Sequence, residues 1–269
     1  MSEKVILPFL KWAGGKRWLV NNHSYVFPKE YNRYIEPFVG SGSVFFHLKP
    51  QEAILSDLNS ELVVTYKALR NRNRKVEKLL KRYHELHCDE FYYHMRGQSP
   101  LSQEEIAARM IYLNRTCWNG LYRVNLSGKY NVPIGTKKNV ILETDDFRET
   151  ARLLRRASIY NSDFERIIDR AQENDFVFID PPYTVQHNYN GFIKYNEKLF
   201  SWDDQVRLRD AIGRAVLRGA KVLMTNANHQ SIFDLYSDYV GHSTLSRNSV
   251  LSGKKESRGK YEELMVKFW

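Results

Sequence analysis

Two periods organise the apolar and polar positions of this chain: short apolar runs bounded by polar residues read as buried strands, and apolar residues three and four apart read as helices. Residues 33–39 read as a strand running into Gly40-Ser41-Gly42, with a helix through 44–48 behind it. A second short strand follows at 53–57 and a helix at 60–69, which makes one βαβα unit. From about 72 to 155 the pattern changes. Charged helices are expected at 74–87, 90–95 and 102–115, and a segment rich in Gly, Asn and Tyr follows at 119–135. Within it, 121–124 and 130–132 flank Ser127-Gly128 and read as a hairpin. The alternation then resumes, with strands at 158–163, 176–180 and 221–226, helices at 164–171 and 203–217, and a closing antiparallel pair at 239–246 and 262–268. The pattern predicts an α/β chain: a doubly wound sheet interrupted by a helical insertion. Residues 252–260, between the last two strands, read as a basic surface loop.

Composition narrows this. At 269 residues and 42% hydrophobic, the chain has enough apolar material for one large core with an insertion, and global disorder is excluded. No apolar run approaches the roughly 20 residues needed to span a bilayer, and no charged-then-apolar leader is apparent, so no membrane is expected. Cys88 and Cys117 have no paired spacing, which argues against a disulfide framework or zinc site. A reduced, cytoplasmic protein is expected. His84 and His87 read as a helix face, and no metal is expected. With 41 Lys plus Arg against 31 Asp plus Glu, the net charge is +10; together with 14 Phe, 17 Tyr and 5 Trp this suits nucleic acid better than a small anion. The basic run 70–75, continued by Lys78, Lys81 and Arg82, is either a solvated helix face or a phosphate contact.

The densest chemistry is Asp180-Pro181-Pro182-Tyr183 after the apolar run Phe176-Val177-Phe178-Ile179. Two prolines cannot continue a central sheet, so the chain leaves it at the strand's C-terminal end, where open α/β sheets bind ligands. A carboxylate, a proline carbonyl and an aromatic face suit a planar base with an exocyclic amine: Asp180 and Pro181 accept the amine hydrogens while Tyr183 stacks. The plain alternative is a strand, a turn, and Tyr183 packed on the sheet edge. Gly40-Ser41-Gly42 resembles the start of a dinucleotide turn but lacks the third glycine, and Glu36 would repel phosphates while welcoming an ammonium. Asp57, ending its strand, sits where ribose hydroxyls are taken. Together these fit S-adenosylmethionine better than a nucleotide diphosphate, although Gly-x-Gly turns are common. Lys11-Trp12-Ala13-Gly14-Gly15-Lys16 lacks the spacer of a phosphate loop; its glycines allow close approach of a ligand, or it is a simple turn with Trp12 in the core.

Taken jointly, the words 9–16, 36–45, 57–62, 119–125, 130–135 and 180–183 resemble, in order, the DNA adenine methyltransferase (Dam) family, the N6-adenine-specific D12 class that includes restriction-associated GATC enzymes. The resemblance spans almost the whole chain and weakens at 70–105 and after Tyr183. It implies a Rossmann-like S-adenosylmethionine-dependent catalytic domain (1–70 plus 156–269) with a helical and hairpin DNA-recognition insertion (71–155). It also implies base flipping, with transfer of methyl to adenine N6. Trp12 to Lys16 match the segment closing on the cofactor's methionine end; Glu36, Phe38 and Gly40 line that pocket; Asp57 matches the ribose ligand; Asp163 and Phe164 match the cofactor-adenine contact. Asp180, Pro181, Pro182 and Tyr183 match the catalytic loop, Asp180 counting with the cofactor residues too. Arg123 matches a guanine-reading arginine, Lys11 a lysine near the first guanine, and Leu121 and Pro133 thymine-side contacts; Asn119 joins this DNA-binding set. These matches imply GATC. Thr136-Lys137 departs from the family's frequent Arg-Tyr, so an aromatic contact is missing. Expected partners are double-stranded DNA and, in some settings, a restriction endonuclease; methylating one strand at a time needs no dimer, so a monomer is expected. The same fold also serves cytosine-N4 and RNA methylation or idle nucleic-acid binding, but Asp rather than Ser at position 180 argues for adenine and the Arg123 hairpin for duplex DNA.

Overall fold

Four consecutive apolar residues with β-branched members, Phe176–Ile179, form strand β4, buried along its length. In this computed structural model, which describes residues 6–125, 129–185, 200–239, 241–248 and 260–269, β4 lies at the centre of a seven-stranded sheet. The others are β1 (Tyr34–Glu36), β2 (Ala53–Asp57), β3 (Ala157–Asn161), β5 (Lys221–Ala227), β6 (His242–Asn248) and β7 (Lys260–Lys267), in the order β3-β2-β1-β4-β5-β7-β6. The pairs β1–β2, β1–β4 and β4–β5 are parallel, whereas β7 runs antiparallel between β5 and β6. This is a doubly wound, Rossmann-like sheet, as the alternation predicts. Strand β1 is shorter than expected, ending at Glu36 because Pro37 has no N–H to continue a ladder.

The chain divides into two compact units. The first comprises Met1–His23, Gly40–Gln51 and Asp57–Asn161. Its spine is α3 (Ser60–Glu85), capped by the Asn59 side chain accepting from Leu62 N–H at 3.0 Å. Two helices were expected here, and α3 joins them end to end across a kink at Arg72, whose φ of −140° and ψ of 31° leave helical values. The expected domain boundary at 70–71 falls inside this helix. Helix α3 packs on α5 (Gln103–Thr116), whose residues 107–116 are buried on every face. Two arginines are buried there because each guanidinium nitrogen finds an acceptor: Arg109 in Glu61 and the carbonyls of Met95 and Arg96, Arg115 in both oxygens of Asp145 and the carbonyls of Phe9 and Val140. Of the basic run, Arg72 and Lys75 pair with Glu104 and Arg70 donates to the Ala157 carbonyl.

Helices α1 (Arg17–His23), α2 (Ser43–Leu48), α4 (Asp89–Gly97) and α6 (Phe147–Leu154) complete the first unit. Helices α1 and α6 are absent from the sequence expectation, although α6 buries Phe147, Thr150, Ala151 and Leu154 at helical spacing. His84 and His87 serve structure, His84 accepting from Val140 N–H and His87 bonding the Tyr112 hydroxyl. Of the expected hairpin, the described residues show an antiparallel bridge, Val124 with Tyr130, flanked by hydrogen bonds from Asn125 N–H to the Lys129 carbonyl and from Asn131 N–H to the Arg123 carbonyl. Its turn, Ser127-Gly128, and the basic loop at 252–259 lie outside the described residues.

The second unit comprises Ser24–Val39, Glu52–Ser56 and Ser162–Trp269. It carries β1, β4 to β7, most of β2, and helices α7 (Phe164–Ile168), α8 (Trp202–Leu217) and α9 (Gln230–Leu235), the last also unexpected. Helix α8 begins in a reciprocal cap between Ser201 and Asp204.

Candidate active site

Asp180 is the first residue beyond β4. Since Ile179 is in register with Met224, the next residue of β5, Thr225, comes alongside it, and the Thr225 hydroxyl donates to Asp180 Oδ1 at 3.0 Å. The carboxylate is thereby held at the C-terminal edge of two parallel strands. Pro181 is buried and Pro182 half-buried, so the chain leaves the sheet in one rigid step. Tyr183, also half-buried, donates its hydroxyl to Glu263 Oε2 at 2.6 Å. Burial and the charges of Asp180 and Glu263 hold the Tyr183 phenol well above its ordinary pKa, so it stays a protonated donor. Beyond it the Thr184 hydroxyl donates to the Phe200 carbonyl at 2.7 Å, Gln205 to the Thr184 carbonyl and Asn226 to Gln205. Thr184, Gln205, Thr225 and Asn226 are all fully buried, so this polar chain fixes the loop from inside.

The same unit holds Glu36, buried at the end of β1, and Phe38, which stacks on Phe164 with centroids 5.5 Å apart at 25°. Asp163 caps α7 through Glu165 N–H and accepts from Arg207 at 2.9 Å; the Arg207 guanidinium lies 4.9 Å over the Phe164 ring.

In the first unit, Gly40 has φ +46° and an added Cβ would lie 2.8 Å from Trp12 Cδ1, so glycine is required by both backbone and space. Gly40 N–H donates to Asp57 Oδ2 at 3.1 Å and Asn59 N–H to Oδ1 at 2.9 Å. Burial pushes the Asp57 carboxyl upward, with these backbone donors opposing it. Trp12 is half-buried and stacks on Tyr122 at 5.3 Å and 25°, rather than lying in the core. The Tyr122 hydroxyl in turn donates to Glu61. Lys16 is buried and donates to the Gly14 carbonyl at 2.8 Å.

The residues expected to touch DNA share this first unit. Asn114 clamps them: its side chain accepts from Lys11 N–H at 2.9 Å and donates to the carbonyls of Lys11 at 2.8 Å and Gly120 at 3.1 Å. Asn119 is exposed in the left-handed region at φ 57°. Pro133 is exposed and Leu121 half-buried; Arg123 is exposed, with its Nε donating to Asn131 Oδ1 at 3.0 Å. The Lys11 amine is lowered to about 8, chiefly by a hydrogen bond with Lys137 and then by burial. Lys137 thus stands beside Lys11 at the position where an aromatic residue was missed.

Asn114, Thr225, Glu263 and Arg207 were not singled out by sequence reasoning. The available signal was a polar residue inside an apolar run: Thr225 after Val222–Met224, and Glu263 before Leu264–Val266.

Residues 12–251 match the family model described as D12 class N6 adenine-specific DNA methyltransferase. The chain is similar to the Type II methyltransferase M1.LlaDCHI of Lactococcus lactis subsp. cremoris, 36% identical over 96% of this chain and 94% of that one. It is also similar to the Type II methyltransferase M.MjaIII of Methanocaldococcus jannaschii, at 34% over 98% and 99%, and to the DNA adenine methylase of Escherichia coli K12, at 31% over 96% and 94%.

Proposed function

The chain belongs to the D12 class of N6 adenine-specific DNA methyltransferases, and from that membership we propose that it methylates adenine N6 in duplex DNA, within GATC, using S-adenosylmethionine. The observation that carries the chemistry is the Thr225–Asp180 hydrogen bond at the end of β4, which fixes a carboxylate beside the Pro181 carbonyl and the Tyr183 ring.

The donor set fits the cofactor. Glu36, a buried carboxylate after which the chain turns, suits an ammonium. Asp57 uses one lone pair of each oxygen on a backbone N–H, and a carboxylate has about four acceptor sites, so ribose hydroxyls can be accepted. Phe38, Phe164 and Asp163 would take the adenine, and Trp12, Lys16 and Gly40 the methionine end. When bound, S-adenosylmethionine supplies an electrophilic methyl on a sulfonium.

The target adenine hides its N6 in the stack and would be flipped out at a cost of a few kcal/mol. Tyr183 recovers part of this by stacking, for which about 1–3 kcal/mol per base is typical. Asp180 and the Pro181 carbonyl accept the two amine hydrogens, which turns the nitrogen lone pair toward the methyl. Asp180 then stabilises the positive charge developing on N6 as the methyl–sulfur bond would break and leave a neutral thioether; it orients and is not the initial base, and it accepts the one N6 proton shed after transfer. Residues 71–155 would serve as the recognition region, Arg123 reading a guanine with Lys11, Leu121, Asn119 and Pro133 beside it. The chain would act as a monomer in the cytoplasm, and the Type II names of two relatives support pairing with a restriction endonuclease.

The test is tritiated methyl transfer from S-adenosylmethionine to duplexes containing GATC, GACC or no adenine motif. Label on the GATC duplex alone, recovered as N6-methyladenine, is expected. Label on other adenines retires GATC but keeps the class. In Asp180→Ala, transfer is expected to be largely abolished with cofactor affinity within several-fold; near-wild-type turnover would overturn the Asp180 role.

A further inference from the structure

Glu263 is a carboxylate only 2% exposed at the head of the apolar run Leu264-Met265-Val266, in which Leu264 and Val266 are fully buried. A buried charge is costly unless it is hydrogen-bonded, so its partner is informative. Because β7 runs antiparallel to β5, its N-terminal half lies at the C-terminal ends of the parallel strands. Glu263 is in register with Ala227, and Thr225 with Met265. Side chains two apart on paired strands share a face, so Glu263 and Thr225 lie on the same one. That is the face on which Thr225 holds Asp180 and Glu263 holds Tyr183.

The phenol has one proton to donate, and Asp180 and Glu263 are both anionic acceptors near it. In the structure the proton goes to Glu263, while Asp180 is met by Thr225. Resting on the methyl-transfer reading above, we propose that Glu263 is a positioning residue. Its carboxylate fixes the plane of the Tyr183 ring on which the target base stacks, and it keeps the phenol's proton off Asp180, whose acceptor capacity the substrate amine needs. The strand that carries Glu263 thereby acts on the catalytic loop through one hydroxyl.

A four-variant cycle tests this: wild type, Glu263→Ala, Tyr183→Phe and the double variant, with Glu263→Gln alongside. Turnover, KM for duplex DNA and cofactor affinity by equilibrium dialysis are measured for each. Glu263→Ala is expected to lower kcat by about 10–100-fold, the range a misplaced reacting group produces, with cofactor affinity within about threefold. The double variant should be no slower than Glu263→Ala, since both changes cut one link. Glu263→Gln retains a carbonyl acceptor for the phenol and should recover most of the loss. With 2-aminopurine at the target position, the fluorescence of the flipped base, quenched by stacking in the wild type, should rise in Glu263→Ala.

Losses that multiply in the double variant, or a Glu263→Ala enzyme with wild-type kcat, overturn the positioning role and leave the methyltransferase reading intact. A Glu263→Gln enzyme as slow as Glu263→Ala, both retaining cofactor, overturns it equally. Absence of label on any DNA from the wild-type chain overturns the proposed function, and the Glu263 role with it.

Discussion

Replacing Asn114 would break the clamp that holds the start of the Trp12–Lys16 segment against the Asn119–Arg123 segment. Asn114 is 1% exposed and makes three hydrogen bonds, accepting from Lys11 N–H and donating to the carbonyls of Lys11 and Gly120. At a net of about 1 kcal/mol each, Asn114→Ala is expected to cost about 2–4 kcal/mol, a large part of a typical domain's 5–15 kcal/mol. Asn114→Asp has the same shape yet should be worse at neutral pH. It keeps the acceptor but aims a second oxygen at two carbonyls that need donors. Burial and those carbonyls would raise the new carboxyl's pKa above its unfolded value of about 3.9. Between those two values the folded state binds more protons than the unfolded one, so stability falls as pH rises through that window. Urea unfolding of wild type, Asn114→Ala and Asn114→Asp at about pH 5 and about pH 8 reads this out. The Asp variant should lose at least about 1 kcal/mol more than the Ala variant at the higher pH, with the gap closing at the lower. Equal stability of the two variants at both pH values would refute the clamp. Both variants should also bind duplex DNA more weakly, because Lys11 and the Asn119–Arg123 segment lose their common anchor.

Arg123→Ala should relax discrimination at one base pair by about 1–3 kcal/mol in kcat/KM across single-substituted duplexes; a uniform loss on every sequence, with a shallower salt dependence, would make it a phosphate contact. The Lys11 amine, lowered to about 8, loses its charge as pH rises through that value, whereas a bound DNA acceptor favours the ammonium. DNA affinity should therefore fall across roughly pH 7–9 by proton linkage. Lys137→Ala removes the main cause of the lowering and should flatten that dependence in fluorescence-anisotropy titrations; an unchanged slope would exclude Lys11 as its source.

Much of the fold is legible because strands and helices leave local periods. The run Phe176–Ile179 with Pro181-Pro182 behind it announces both a central strand and the point where the chain leaves it. The same holds for Gly40, whose left-handed backbone and contact with Trp12 admit little else. Legibility fails where a local pattern is short or where polarity misleads. Helix α9, Gln230–Leu235, has too few turns to show its face. Helix α5 reads as charged because Arg109 and Arg115 look like surface residues until their acceptors are seen.

By itself the sequence determined the parallel α/β alternation, the loop that bears Asp180 and Tyr183, and the words that place the chain among adenine methyltransferases. Tertiary structure alone decided which side chains hold those groups. Tyr183 reaches Glu263 across 80 residues and Asn114 reaches Lys11 across 103. Glu263 arrives at the catalytic loop only because β7 enters antiparallel between β5 and β6, reversing its direction so that an acidic residue near its start faces the ends of β4 and β5. Side-chain periodicity within a strand says which residues share a face, but not which neighbour that face will meet.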